Sequence, residues 1–221
     1  MVFSVIYSVH EPTLLDRIRA LIAHKNLTVS KDKLSCLLHP NLVAISDEFD
    51  KQLRRLAMQH EEIVLYYPGC GTDLVWPLLV LQAAGSKAMH WIVVCQDIVN
   101  CLDEMIASVQ MLTGEIVFEK TQLSGLSGVR FHFSNRQLTI LFLVADISYI
   151  VPSIPCHIYL DRGFEIIRNN IDSFYSRIPL YSRGLFITDA AFATTPKGYS
   201  CLHIRLPEWG FYPHPAVYRK D

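Results

Sequence analysis

The residues best placed to do chemistry stand where apolar runs end. The run "EIVLYY" (62–67) stops at Pro68, and Gly69 and Gly71 then bracket Cys70 ahead of Thr72 and Asp73. A ligand can come close to backbone that carries no side chain, and glycine also admits positive φ. A helix starting there would draw anions to its amino end, but Asp73 would repel a phosphate and reads as the helix cap. Pro77 fits only inside a first helical turn, so the helix must begin between Asp73 and Trp76. Asp97 ends the next apolar run, "HWIVVCQD", at the edge where open parallel sheets bind ligands. A carboxylate there can accept both hydrogen bonds of a ribose diol, or cap the helix that follows; the residues alone leave both open. Asp146 ends a third run, "LTILFLVAD". Three successive strand ends thus bring two glycines and two acids to one rim.

Other constellations carry less. Cys201 and His203 supply at most two of the three or four ligands a zinc site requires, so no metal is expected. Cys70 at a helix start is the one position suited to an activated thiolate, yet it fits better a small residue tolerated between glycines. The tail "PEWGFYPHPAVYRKD" holds four aromatic rings and three prolines. It is expected to pack over the sheet, where it could wall an acceptor site, or else to form a partner surface.

These residues need elements to hold them. Residues 1–60 read as a helical extension, a cap or lid, because "EPTLLDRIRALIAHK" and "SDEFDKQLRRLAMQHE" repeat apolar residues at three- and four-residue steps. From residue 61 to 221 short apolar runs alternate with helical stretches, the signature of a mostly parallel sheet with crossover helices. Strands are expected at 62–67, 90–95, 138–145, 156–161 and 185–189, with helices ending near Gly85 and spanning Ile98 to Leu112 before Gly114. Alternating residues around a Ser/Gly centre at 115–136 predict an inserted antiparallel hairpin, and "SCLHIRL" (200–206) an antiparallel edge strand. The fold class expected is α/β, a three-layer sandwich around a mostly parallel sheet.

Composition narrows the function classes. Lys and Arg total 20 against 21 Asp and Glu, so no positive field draws the chain to nucleic acid. The longest apolar stretches, 74–81 and 138–145, fall far short of the ~18–20 residues of a membrane helix, and no membrane partner is expected. Six scattered cysteines without a CxxC pair suit buried thiols in a reducing cytoplasm.

With these elements in order, the stretch from 62 to about 190 resembles the class I S-adenosylmethionine-dependent methyltransferases. "VLYYPGCGTD" looks like their glycine-rich first motif, "WIVVCQDIVNCLDEMIASV" like the second strand with its acidic end and following helix, and "ILFLVAD" like the third strand. "CHIYLDRGFE" sits where their fourth strand and catalytic rim lie, and "RIPLYSRGLFITD" is similar to the turn and fifth strand. Two positions depart from the pattern: Tyr67 stands where an acid usually precedes the glycines, and Asp73 replaces the usual third glycine.

The resemblance implies S-adenosylmethionine as cofactor, with Gly69 and Gly71 against its methionyl part, Asp97 on the ribose hydroxyls and Asp146 on the adenine amino group. It implies a binding set of Tyr67, Gly69, Cys70, Gly71, Asp73, Asp97, Ile98, Asp146 and Ile147, in which Asp73 could meet the cofactor's cationic amino group. Methyl transfer depends mostly on positioning, with a base added where the acceptor must lose a proton. The candidates for that are Asp161, Arg162, Glu165 and Tyr175; Asp161 with Arg162 reads slightly better as a surface ion pair or turn, and Tyr159 as core. The expectation is a cytoplasmic enzyme acting on a small molecule by methyl transfer or related alkyl chemistry such as cyclisation, with a homodimer possible. The alternative is a degenerate, non-catalytic protein of the same fold working as an interaction module, which Tyr67 and Asp73 favour. A nicotinamide-dependent oxidoreductase fits poorly, since the third glycine is missing and Asp73 would crowd a pyrophosphate.

Overall fold

The computed structural model describes residues 47–113, 117–133, 136–161, 174–188, 195–204 and 216–221. Among these, α1 (Asp47–Arg54) leads into β1 (Glu62–Pro68), α2 (Val75–Ala84), β2 (His90–Asp97) and α3 (Leu102–Thr113). Then follow β3 (Phe118–Leu123), β4 (Leu126–Phe133), β5 (Arg136–Val144), β6 (Cys156–Asp161), β7 (Leu180–Thr188), β8 (Tyr199–Cys201) and β9 (Ala216–Lys220). The strands form one nine-stranded sheet in the order β3-β4-β5-β2-β1-β6-β7-β9-β8. Its five central strands pair in parallel, and only β4 and β9 run against the others.

The continuous apolar runs of β1 and β2 follow from burial on both faces. Ile63, Leu65, Trp91, Val93, Leu138 and Ile140 turn to one face, where they pack with α2 and with Leu53, Met105 and Val109 of the other helices. Val64, Tyr66, Val94, Tyr159 and Phe186 turn to the opposite face. There the cover includes Ile147, Ile154, Phe174, Tyr175 and Ile178. An aromatic cluster holds this face together, with Tyr159 and Tyr175 rings 5.2 and 4.6 Å from that of Phe186. The apolar composition of α2 all round its axis fits its deep burial.

Several boundaries differ from the sequence reading, each for a local reason. α1 stops at Arg54 because the amides of Leu56 and Ala57 close back on the carbonyls of Leu53 and Arg54, three residues earlier. The helix expected from Ile98 begins at Leu102. Asp97 Oδ1 takes the Val99 amide and Asn100 Oδ1 the Leu102 amide, so side-chain acceptors hold 98–101 as a turn. β8 ends at Cys201, two residues before His203 enters the left-handed region at φ 51°. The end of the aromatic tail does not lie over the sheet but enters it, with β9 inserted between β7 and β8. The first N-terminal helix, Arg162, Glu165 and the tail at 205–215 lie outside the described residues.

The segment at 118–133 is an antiparallel hairpin closed by Ser124 and Gly125, both at positive φ (49° and 83°), as a two-residue turn requires. β4 pairs with β5, extending the sheet. Gly128 lies so close to the Ile140 carbonyl that no Cβ fits there.

Candidate site at the carboxyl rim

The chain runs from β1 to β2 and β5 on one side and then crosses back from β5 to β6 on the other side of β1, so the strand order reverses at β1. Open sheets bind ligands at such a switch point, outside the carboxyl ends of the strands. The glycine turn stands there. Gly69 and Gly71 take φ of 59° and 49°, where a side chain would cost about 1–2 kcal/mol. The turn is tied down onto the end of β2: the Gly69 amide donates to the Gln96 carbonyl at 2.7 Å, and the Gly71 amide to Asp97 Oδ2 at 2.9 Å.

Asp97 is therefore a hub. One carboxylate oxygen holds the glycine turn, the other holds Val99, and its own carbonyl accepts the Ala145 amide at 2.9 Å. That last bond continues the β2–β5 ladder and sets Asp146 beside it. A carboxylate has roughly four lone-pair directions, so two amides do not exhaust it. Helix capping, the other reading of Asp97, is not its part here: the Leu102 amide at the start of α3 goes to Asn100.

Asp73 is not the residue at the helix start either. Leu74 occupies the N-cap position of α2 without a side-chain capping bond. Asp73 is fully buried, and its Oδ2 accepts from the Tyr67 hydroxyl at 2.8 Å. The two departures from the family pattern are thus bonded to each other beneath the turn. Cys70 is buried too, and its thiol lies 3.6 Å from the Gln96 carbonyl. Burial, reinforced by Cys95, pushes its pKa well above the ordinary thiol range, which removes the thiolate a nucleophile would need.

On the other side of the rim, Asp146 is exposed and its Oδ1 accepts the Ser148 amide at 2.8 Å. Ile147 is buried in the second core cluster, whereas Ile98 is 53% exposed and offers an apolar surface next to Asp97. At the end of β6, Asp161 and Tyr175 come together: the phenol donates to Asp161 Oδ2 at 2.7 Å, with both side chains buried. Asp161 is therefore not part of a surface ion pair. Tyr159 is core, as its apolar surroundings in the sequence indicate, and its buried hydroxyl has no partner among the described residues.

Two residues that hold the rim have no motif to announce them. Gln96 sits between the loops: its Oε1 accepts from the Tyr66 hydroxyl at 2.6 Å, and its Nε2 donates to the Ala145 and Ile150 carbonyls at 3.1 and 2.9 Å. Burial pushes the Tyr66 pKa well above the ordinary phenol range, which keeps the proton on the donor and fixes the amide's orientation. The available signal was a glutamine inside an apolar strand. Arg177 pins the same loop from outside, donating to the Ser148 and Tyr149 carbonyls, both at 3.1 Å. Among the described residues no cluster of three metal-ligating side chains occurs.

No protein-family model matches the chain, and no curated protein sequence does. Among solved structures it is similar to a candidate class I S-adenosylmethionine-dependent methyltransferase from Listeria monocytogenes, at 9% identity and TM-score 0.47, over 94% of this chain and 67% of that one. It is also similar to the N-methyltransferase NodS from Bradyrhizobium japonicum, at 11% identity and TM-score 0.40, over 80% and 98%. A third is a candidate methyltransferase from Streptococcus mutans in complex with S-adenosylhomocysteine, at 8% identity and TM-score 0.36, over 78% and 95%.

Proposed function

We propose that the carboxyl rim binds S-adenosylmethionine and that the chain transfers its methyl group to a small molecule. The observation that carries this reading is Asp97: a carboxylate at the end of the second parallel strand, beside the switch point, bonded to the amide of a left-handed glycine. The residues present fit the cofactor. Bare backbone at Gly69 and Gly71 admits the methionyl part, Asp97 keeps acceptor capacity for two ribose hydroxyls, and Ile98 gives adenine an apolar neighbour near Asp146. The cofactor supplies the electrophilic methyl group; the chain supplies position. Where an acceptor must lose a proton, we assign that task to Asp161, with Tyr175 as the residue that orients it. Arg162 and Glu165 follow it in sequence. The near balance of 20 basic and 21 acidic residues favours a small acceptor over nucleic acid, in a cytoplasmic protein that could act as a homodimer.

A second reading rests on Asp73. Its full burial under the Tyr67 hydroxyl suits a fold kept for interaction after its cofactor was lost. Calorimetric titration of the purified chain with S-adenosylmethionine and S-adenosylhomocysteine decides between the two. The enzyme reading expects heat with both and a large loss in Asp97→Ala. No heat at millimolar ligand leaves the interaction module.

A further inference from the structure

The opposite end of the sheet holds a second site, independent of the rim. β1 and β6 are in register only from Leu65 with Ile158 and Tyr66 with Tyr159. Below that the strands part, and the Val64 amide donates to His157 Nδ1 at 3.1 Å, a side chain standing in for a ladder carbonyl. β7 also departs from register. Between the pairs Cys156–Leu180 and Ile158–Leu185, two steps along β6 face five along β7, so three extra residues bulge out. The bulge is built in. Arg183 sits at φ 66°, a costly conformation for a residue with a side chain, and a Cβ at Gly184 would meet the Leu180 side chain and the Tyr181 carbonyl at 2.8 Å. Bulges of this kind re-aim side chains, often beside binding sites.

The result is a cleft of about 840 Å³, within the usual ligand-pocket range of about 300–1,000 Å³. Its walls include His60, His157, Tyr181, Ser182, Arg183 and Arg219. The rings of His60 and Tyr181 lie 4.6 and 4.7 Å from that of His157, forming one aromatic wall. Because His157 Nδ1 accepts the Val64 amide, a neutral ring must carry its proton on Nε2, a donor with no partner among the described residues. Burial and then His60 lower the His157 pKa to about 4, so the ring is neutral near pH 7. No carboxylate stands among the described lining residues, and neither Arg183 nor Arg219 has an ion-pair partner among the described residues. Two uncompensated guanidiniums beside an aromatic wall have the donor set for a planar ligand that ends in an anion.

We infer that this cleft at the amino ends of β1, β6 and β7 binds a small aromatic anion, its ring against His157 and Tyr181 and its phosphate or carboxylate on Arg183 and Arg219. The test is calorimetry on the full chain with phenyl phosphate and benzoate, phenol serving as the uncharged control. At least one anion binds in the millimolar range or tighter, and phenol does not; which anion binds better identifies the acid group. Arg219→Gln and Arg183→Gly each weaken binding by about tenfold or more, as the loss of a charge-assisted bond requires, with the unfolding midpoint close to the parent's in the first and at or above it in the second. Arg183→Gly keeps the test sound, because glycine suits the left-handed position. No heat with either anion, equal binding of phenol, or unchanged affinity in both variants overturns the assignment. S-adenosylhomocysteine affinity is measured in parallel; its failure would refute the rim reading and leave this one standing.

Discussion

At the carboxyl ends of β1 and β2, polar side chains are buried and bonded to one another or to backbone: Tyr66 to Gln96, Tyr67 to Asp73, Asp97 to the Gly71 amide. At the amino ends of β1, β6 and β7, Arg183 and Arg219 line open space and His157 Nε2 has no hydrogen-bond partner among the described residues. The difference separates two ways of making a site. The rim uses its hydrogen bonds to fix loops, so position is its product and stability depends on it. The amino-end cleft leaves Arg183 and Arg219 without an ion-pair partner among the described residues, and the ligand inferred above would supply one. Substitutions at the rim should therefore cost stability, and those at the cleft should not.

The largest effect is expected at Asp97. Asp97→Ala strands the buried Gly71 amide and removes the carboxylate acceptor, each worth about 1–3 kcal/mol, for a total of about 2–6 kcal/mol by urea denaturation. If the ribose sits there, affinity for S-adenosylhomocysteine falls by about a hundredfold or more. Unchanged stability would break the comparison at its strongest point. Next is Gln96→Leu, which leaves the Tyr66 hydroxyl and two loop carbonyls without this partner, for about 2–3 kcal/mol. Hydrogen exchange should then rise in the 145–151 loop ahead of β2; exchange confined to global unfolding would deny Gln96 its role as a loop tie.

How much of this was legible beforehand depended on distance along the chain. The end of β2 at Asp97 and the whole of β6 follow from apolar runs that a two-sided parallel sheet demands, while β5 stops at Val144, two residues short of Asp146. The turn at 98–101 was missed because Asp97 and Asn100 override a sequence that reads as helix. β9 was missed because its pairing with β7 joins residues about thirty apart, and nothing local in "AVYRK" records that gap. The Tyr67–Asp73 bond could be suspected from two odd residues near a glycine turn; the Tyr175–Asp161 bond spans 14 residues and needs the fold.

Two smaller effects sharpen the contrast. Tyr67→Phe removes one donor to a buried carboxylate and is expected to cost about 1–2 kcal/mol, while Arg219→Gln at the other end stays within about 0.5 kcal/mol. Equal costs would mean that the fold depends on the cleft as much as on the rim. His157 adds a pH signature. Its folded pKa of about 4 lies below the ordinary 6.5, so between those values the unfolded chain binds more protons than the folded one. Stability is full above pH 6.5 and falls as pH drops toward 4, by on the order of 1 kcal/mol, since the half-buried ring is partly screened by solvent. His157→Gln should flatten that slope in urea titrations at pH 4.5 and 7; an unaltered slope would assign it to other groups.

The smallest effect has the most telling sign. Arg183 at φ 66° carries roughly 1–2 kcal/mol of left-handed strain, which Arg183→Gly relieves. Against this, glycine loosens the unfolded chain and offsets about 0.4–1 kcal/mol of that relief. The net expectation is a stabilisation of about 0.5 kcal/mol, read as a slightly higher midpoint in urea. The rim substitutions Asp97→Ala, Gln96→Leu and Tyr67→Phe all lower that midpoint. An arginine held in a conformation that glycine would adopt more easily is retained at a cost to the fold, and the cleft's open guanidiniums give that cost a purpose. A lower midpoint in Arg183→Gly would instead mean that the Arg183 side chain packs for stability, and the two ends of the sheet would then differ in degree only.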